Sequence, residues 1–217
     1  MPDLTASSEL APVARSAIRV PGDERVSTGW SVSTRRSAAA LQLRDESWLA
    51  KVGARGPVDG ALQSALGVAF RTSSRRDGVL VVGSGPGEWL LVGRPGTAAQ
   101  LLQQVGDQGG GEFVSAVDLT HGRALMRLTG AEAKSLLAKV CAVNLSDAVT
   151  PAGAAFRTSV AKVSTDIIRD DAGAGGQLSY LLHCERSSGQ YLFDCLLDAG
   201  KEFGIEPAGS DLDGKDA

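Results

Sequence analysis

The chain predicts an α+β fold. Two packed halves each run strand, helix, strand, strand, helix, and their helices cover mainly antiparallel sheets. Three observations carry this reading. Short apolar runs alternate with amphipathic segments of helical period. Helix-start signals recur at Thr97, Thr129 and Ser187, each with Gln or Glu three residues on. A glycine- and proline-rich turn, Gly83-Ser84-Gly85-Pro86-Gly87-Glu88, joins two apolar strands as a hairpin.

The first half opens with a strand over 39–43, where Leu41 and Leu43 alternate with polar neighbours. A helix over 57–66 follows a loop. Pro57 suits its first turn, and Val58, Leu62, Ala65 and Leu66 share one face. Strands over 79–82 and 89–92 flank the hairpin turn, and a helix runs from Thr97 to Val105 on a Leu101, Leu102, Val105 stripe. The second half begins with strands over 113–119 and 124–128. Its first helix follows Thr129, with Ala133, Leu136, Leu137 and Val140 on one face. Strands over 163–168 and 179–184 come next, separated by a flexible connector over 170–176. The last helix starts at Ser187, buries Leu192, Cys195, Leu196, Ala199 and Phe203, and stops at Gly204. Strand 113–119 is the added strand at the junction. Residues 1–37, rich in Ala, Ser, Arg and Pro, read as an extended arm, flexible on its own, that orders against a partner. The single α+β domain then covers 38–206, and 207–217 is a small, acidic, flexible tail.

Composition narrows the function. With 217 residues, 43% hydrophobic, 22% charged and a net charge of −3, the chain carries no basic excess for nucleic acid or an anionic membrane. No apolar run is long enough to span a bilayer, and the N-terminus lacks the basic-then-apolar order of a signal peptide, so a cytoplasmic setting is expected. The cysteines, Cys141, Cys184 and Cys195, are odd in number and form no Cys-x-x-Cys pair. They read as small buried hydrophobes.

Glycine is abundant, at 27 residues, which makes a phosphate loop a candidate. The Gly83–Gly87 cluster leads into Trp89-Leu90-Leu91-Val92, a strand, whereas a dinucleotide site needs a helix opening from its glycines. General acid–base chemistry would fall to His121 or His183, the two histidines. His183 lies in an apolar strand and reads as a hydrogen-bonded core histidine. Near His121, Asp118 and Thr120 read as side chains that bond turn amides, with the imidazole packing the turn. Arg35-Arg36 and Arg75-Arg76 read as solvated surface pairs. These residues assign no catalytic, cofactor-binding or metal-ligating position.

The segment Ala116-Val117-Asp118-Leu119-Thr120-His121-Gly122-Arg123, running into Ala124–Ala133, resembles the Asp-Leu-Ser/Thr-His-Gly-Arg stretch of the gamma subunit of heterotetrameric sarcosine oxidase. The fold of that subunit is related to the folate-binding domain of aminomethyltransferases. The hairpin Gly85-Pro86-Gly87-Glu88-Trp89-Leu90-Leu91 and the stretch Cys184–Asp194 extend the likeness, which covers Leu41 to Gly204. It implies a non-catalytic assembly subunit, inactive when isolated, in a complex that oxidises sarcosine to glycine and hydrogen peroxide and passes the one-carbon unit to tetrahydrofolate. The implied partners are the alpha, beta and delta subunits. By the same resemblance FAD, FMN, NAD, tetrahydrofolate and zinc belong to those partners. In such an assembly the 1–37 arm and the Asp118–Arg123 turn are expected to contribute partner contacts.

The other reading is a stand-alone folate-binding or aminomethyl-transfer protein of the same fold. Aminomethyltransferases carry a Gly-Gly-Ile-x-Asp-Asp-like turn near Asp166. Here Ala161-Lys162-Val163 stands in its place, and paired acids come only at Asp170-Asp171. Lys139-Val140-Cys141-Ala142 faintly echoes the Lys-Gly-Cys-Tyr motif of iron–sulfur-repair relatives but lacks its continuation.

Overall fold

A computed structural model describes residues 12–210. The chain order is β1 (Ala14–Arg15), β2 (Glu24–Ser27), β3 (Trp30–Ser33), β4 (Gln42–Asp45), β5 (Ala50–Arg55), α1 (Ala61–Leu66), β6 (Ser73–Arg76), β7 (Val79–Gly85), β8 (Glu88–Gly93) and α2 (Ala98–Gln108). It continues with β9 (Ser115–Asp118), β10 (Arg123–Thr129), α3 (Ala133–Val140), β11 (Ala155–Val160), β12 (Val163–Arg169), β13 (Ser179–Glu185), α4 (Gly189–Ala199) and β14 (Glu206–Ala208).

Two larger sheets form, in the orders β6-β7-β8-β5-β9 and β11-β12-β13-β10-β4-β14. The run β5-α1-β6-β7-β8-α2 and the run β10-α3-β11-β12-β13-α4 therefore build the same arrangement, a three-strand meander returning beside its own first strand. The internal repeat is real at the level of topology, with three strands in each meander where the sequence pattern suggests two.

The sheets lie face to face between helices. On its outer face the five-stranded sheet packs Val52, Ala54, Trp89 and Leu91 against Leu62 and Leu66 of α1 and Leu101 and Val105 of α2. The six-stranded sheet packs Met126, Leu128 and Leu182 against α3 and α4. Between the sheets, Leu80, Val82, Leu90 and Val92 meet Leu125, Ala155, Ile168 and Leu181. Both faces of β8 are thus covered, which explains why Trp89–Val92 is apolar throughout instead of alternating.

Several local expectations are corrected. The first strand lies at Gln42–Asp45, later than the expected 39–43, because its pairing with β10 sets Leu43 opposite Leu128. The helix expected from Pro57 starts at Ala61, and Val58 stays 58% exposed outside it. Strands β5, β6, β11 and β14 escape the pattern of apolar runs. Lys51 interrupts the first, β6 is Ser-Ser-Arg-Arg, and β14 is a three-residue parallel partner of β4. No capping box closes at Thr129, which continues β10 and leaves α3 to start at Ala133. The intervening Gly130 has φ +138°, and a Cβ there would meet the Ala40 carbonyl oxygen at 2.2 Å, so only glycine fits.

The described part of the expected arm is a small sheet, β1-β3-β2, instead of an extended segment. Trp30 and Val32 pack on Trp48, and Ile18 and Val20 enter the core beside α4, so apolar burial holds it against the domain. Residues 1–11 of the arm and 211–217 of the tail lie outside the described residues. Within 207–210, Gly209 and Ser210 donate their amides to the carbonyls of Arg35 and Ser33, both at 2.8 Å. A Cβ at Gly209 would meet the Ser33 oxygen at 2.1 Å, so the two terminal segments lie side by side only because this residue is glycine. Among the described residues, no helix is long and apolar enough to cross a membrane.

Candidate functional site

The Asp118–Arg123 turn links β9 of one sheet to β10 of the other. Asp118 Oδ1 accepts the Thr120 amide at 2.8 Å, and Thr120 Oγ1 accepts the Lys51 amide at 3.0 Å. The carbonyl of Leu119 accepts the amides of Gly122 and Arg123. These are the amide-bonding roles that the short side chains predict. The imidazole of His121 stacks on Trp30 with ring centroids 4.6 Å apart and planes 6° from parallel, which fastens the N-terminal sheet to the turn. Arg123 pairs with Glu185 at 2.5 Å, and Arg186 Nη2 donates to the Arg15 carbonyl at 2.7 Å.

Beneath this turn the seam between the sheets turns polar. His183 and Asp166 are register partners on β13 and β12, and both point into the seam. His183 Nδ1 lies 3.0 Å from Asp166 Oδ2, while Arg157 donates Nε to Asp166 Oδ1 at 2.7 Å and Nη2 to Oδ2 at 3.2 Å. Burial pushes the Asp166 carboxyl up, yet the hydrogen bonds from His183 and Arg157 outweigh it and hold the group at about 2. Burial also moves His183 the opposite way, below its usual range, against the pull of Asp166. The imidazole is therefore neutral with Nδ1–H donating, and its Nε2 is buried without a hydrogen-bond partner. An Asp–His pair of this kind orients a base in many active sites. Here the basic nitrogen reaches no hydroxyl or thiol. Cys184 faces the helix side, donates to the Glu185 carbonyl, and has its thiol pushed by burial to about 11.

Lys51 of β5 is fully buried, and its ammonium donates to the carbonyls of Ser47 and Leu49 at 2.7 Å each. Burial lowers it to about 7, with Asp45, Asp118 and Glu46 opposing. Further along the seam, Arg75 of the first half grips Asp170 in a two-pronged pair at 2.9 and 2.7 Å. Arg127 of β10 donates to the same carboxylate at 2.9 Å, to Glu46 at 2.7 Å and to Ser179 Oγ at 3.0 Å. Burial raises Asp170, but the two guanidiniums win and keep it below the usual carboxylate range. The Arg75 and Asp170 readings are thereby corrected. Arg75 is an inter-sheet tie instead of a solvated pair, and the 170–176 connector is anchored at its first residue. Asp171 holds the connector too, pairing with Arg169 and accepting the Ser179 amide at 3.0 Å.

His183 as a hydrogen-bonded core histidine was legible in sequence, whereas Lys51, Arg127 and Glu46 were not singled out. Their one signal is a charge inside an otherwise apolar strand, as in Ala124-Leu125-Met126-Arg127-Leu128. Among the described residues, no three His, Cys, Asp or Glu side chains gather in a way that could hold a metal ion.

Two repeated meander units, packed sheet to sheet inside four helices, with charged ties along the seam, define a duplicated α+β domain. The GCVT N-terminal domain model matches residues 73–212, and the chain belongs to that family. A similar relative is the sarcosine oxidase subunit gamma of Corynebacterium sp. (strain P-1), 28% identical over 182 residues, which are 79% of this chain and 85% of the relative. Among solved structures, the heterotetrameric sarcosine oxidase of Corynebacterium sp. U-96 in complex with pyrrole 2-carboxylate matches with a TM-score of 0.66 and 22% identity, over 80% of this chain and 90% of that one. The glycine cleavage system aminomethyltransferase T of Bartonella henselae matches with a TM-score of 0.68 and 17% identity, over 87% of this chain and 56% of that one. Both structural likenesses bear on the fold, which is thus of the aminomethyltransferase folate-binding type.

Proposed function

We propose that this chain is the gamma-type assembly subunit of a heterotetrameric sarcosine oxidase and carries no catalytic residue of its own. The observation that carries the reading is the match to the Corynebacterium gamma subunit, which runs along most of both chains instead of matching one part of a longer enzyme. The Asp-Leu-Thr-His-Gly-Arg turn lies within the same likeness and joins the two sheets. In this reading the alpha, beta and delta subunits are the partners. FAD, FMN, NAD, tetrahydrofolate and zinc reside on them, and the assembled, cytoplasmic complex converts sarcosine to glycine and hydrogen peroxide. This chain's charged groups of the seam support that division. Asp166, His183, Lys51 and Arg127 lie between the sheets and bond to other groups of the same chain, which leaves them poorly placed to hold a folate.

Affinity purification of the tagged full-length chain from its native host tests this. The expected result is yellow material with co-purifying partner chains and sarcosine-dependent peroxide release. A colourless chain that binds tetrahydrofolate by itself would overturn the reading in favour of a stand-alone folate protein.

A further inference from the structure

The strand β11 is an edge of the six-stranded sheet, and its outward backbone is closed at both ends but open between them. The two-residue turn Ala161–Lys162, with φ of 46° and 69°, sets Val160 opposite Val163 as the closing pair. By the alternation of an antiparallel ladder, Phe156, Thr158 and Val160 then bond to β12, and Ala155, Arg157, Ser159 and Ala161 face outward. The Ala155 amide donates to the Arg71 carbonyl at 3.0 Å, and the Ala161 amide to the Val140 carbonyl at 2.9 Å. The amides of Arg157 and Ser159, between them, have no backbone partner among the described residues. Unlike β14, with Pro207, strand β11 has no proline, and its ladder to β12 runs without a bulge.

A groove of about 700 Å³ runs beside the N-terminal half of β11. Its apolar wall includes Phe70 and Val149, which are 51% and 56% exposed. Its charge comes from Arg71 and Arg157, and no carboxylate lines it. Arg71 is held in the left-handed region, at φ +68°, by its amide to the Gly83 carbonyl and by its own carbonyl to Ala155. It has no ion pair among the described residues. Arg157 pairs with Asp166 yet keeps 58% of its side chain exposed.

We infer that the open edge of β11 and this groove receive an extended segment of a partner subunit carrying an apolar side chain and a carboxylate. Main-chain hydrogen bonds to Arg157 and Ser159 give the added strand its register. The apolar side chain covers Phe70 and Val149, and the carboxylate answers the two guanidiniums. A second copy of this chain fits worse, because edge-to-edge pairing would bring two positively charged grooves together. The inference rests on the subunit reading and names the surface through which it works.

The test is co-purification of the full-length chain with its partners from the native host. Wild type is compared with Ser159→Pro, Arg71→Glu and, as a control at an exposed valine elsewhere, Val58→Asp. Proline at an outward amide leaves the β11–β12 ladder intact while removing a donor. Thermal unfolding of each free chain verifies folding. The expected result is partner recovery lowered about tenfold or more by either test substitution and unchanged by the control, which corresponds to at least ~1.4 kcal/mol of binding. Amide exchange at Arg157 and Ser159 should slow by about tenfold or more in the complex. Equal recovery by folded Ser159→Pro and Arg71→Glu chains, or unchanged exchange at both amides, would overturn the inference and leave the subunit reading standing. A wild-type chain that recovers no partner would overturn the subunit reading and the inference together. A wild-type dimer split by Ser159→Pro would overturn the inference in favour of self-pairing.

Discussion

The two halves share one strand order and use their inward faces differently. The first half presents Leu80, Val82, Leu90 and Val92 to the seam. The second sets Arg127, Asp166 and His183 among Leu125, Ile168 and Leu181, with Asp170 just beyond β12. The same topology thus supplies a mainly apolar plate, interrupted by Lys51 and Arg75, and a plate studded with paired charges. The Arg75–Asp170 pair crosses from one sheet to the other, so it adds registration to a seam held by burial. Arg75 reaches from the apolar half to Asp170 and completes the pairing.

Breaking that asymmetry should show most where the charge network is cut. Asp170→Ala leaves Arg127 buried beside a missing carboxylate and frees Arg75. It should cost about 3–5 kcal/mol in urea unfolding. Leu90→Ala, on the apolar side, should cost about 2–5 kcal/mol through the cavity it leaves. A loss at Leu90 that greatly exceeded the loss at Asp170 would mean that packing alone sets the seam. Gly130→Ala, where φ is +138°, should cost about 1–3 kcal/mol and be visible as a lowered Tm.

The pH dependence sharpens the comparison, since Asp166 and His183 titrate on the second half's plate and Lys51, on β5, is the buried titrating group of the first. Asp166, at about 2 when folded against 3.8 as its ordinary value, contributes stability that is complete above 3.8 and lost as pH falls towards 2. His183, lowered by burial, leaves the unfolded state holding more protons below about 6.5, so stability also declines as pH drops through that value. Lys51, at about 7 when folded against 10.5, has the unfolded chain binding the extra proton between those values, so its contribution to stability rises with pH across that window. Lys51→Met should flatten the rise between pH 7 and 10.5 in denaturant titrations. An unchanged slope would show that the ammonium is not the group responsible.

The parts legible in sequence were those where local period and burial agree. Helices α2 and α4 and the β7–β8 hairpin carry their apolar stripes or turn residues in consecutive sequence. Strand β5 was hidden because Lys51 and Gly53 break its run, although tertiary contacts bury Lys51 and half-bury Gly53. The seam ties were hidden for another reason. Arg75 and Asp170 sit in segments that read locally as a basic pair and a loop, and only the packing of one half on the other brings them together. The Asp118–Arg123 turn was readable because short polar side chains at a strand end bond nearby amides. Its stacking partner, Trp30, comes from a segment whose composition suggested an arm.

Immunodepletion of this chain from an extract of its native host tests its place in a sarcosine oxidase. Sarcosine-dependent peroxide release would be measured in the supernatant and on the beads. The activity should leave the supernatant with the chain and reappear on the beads. Full activity in a supernatant emptied of the chain would contradict that place.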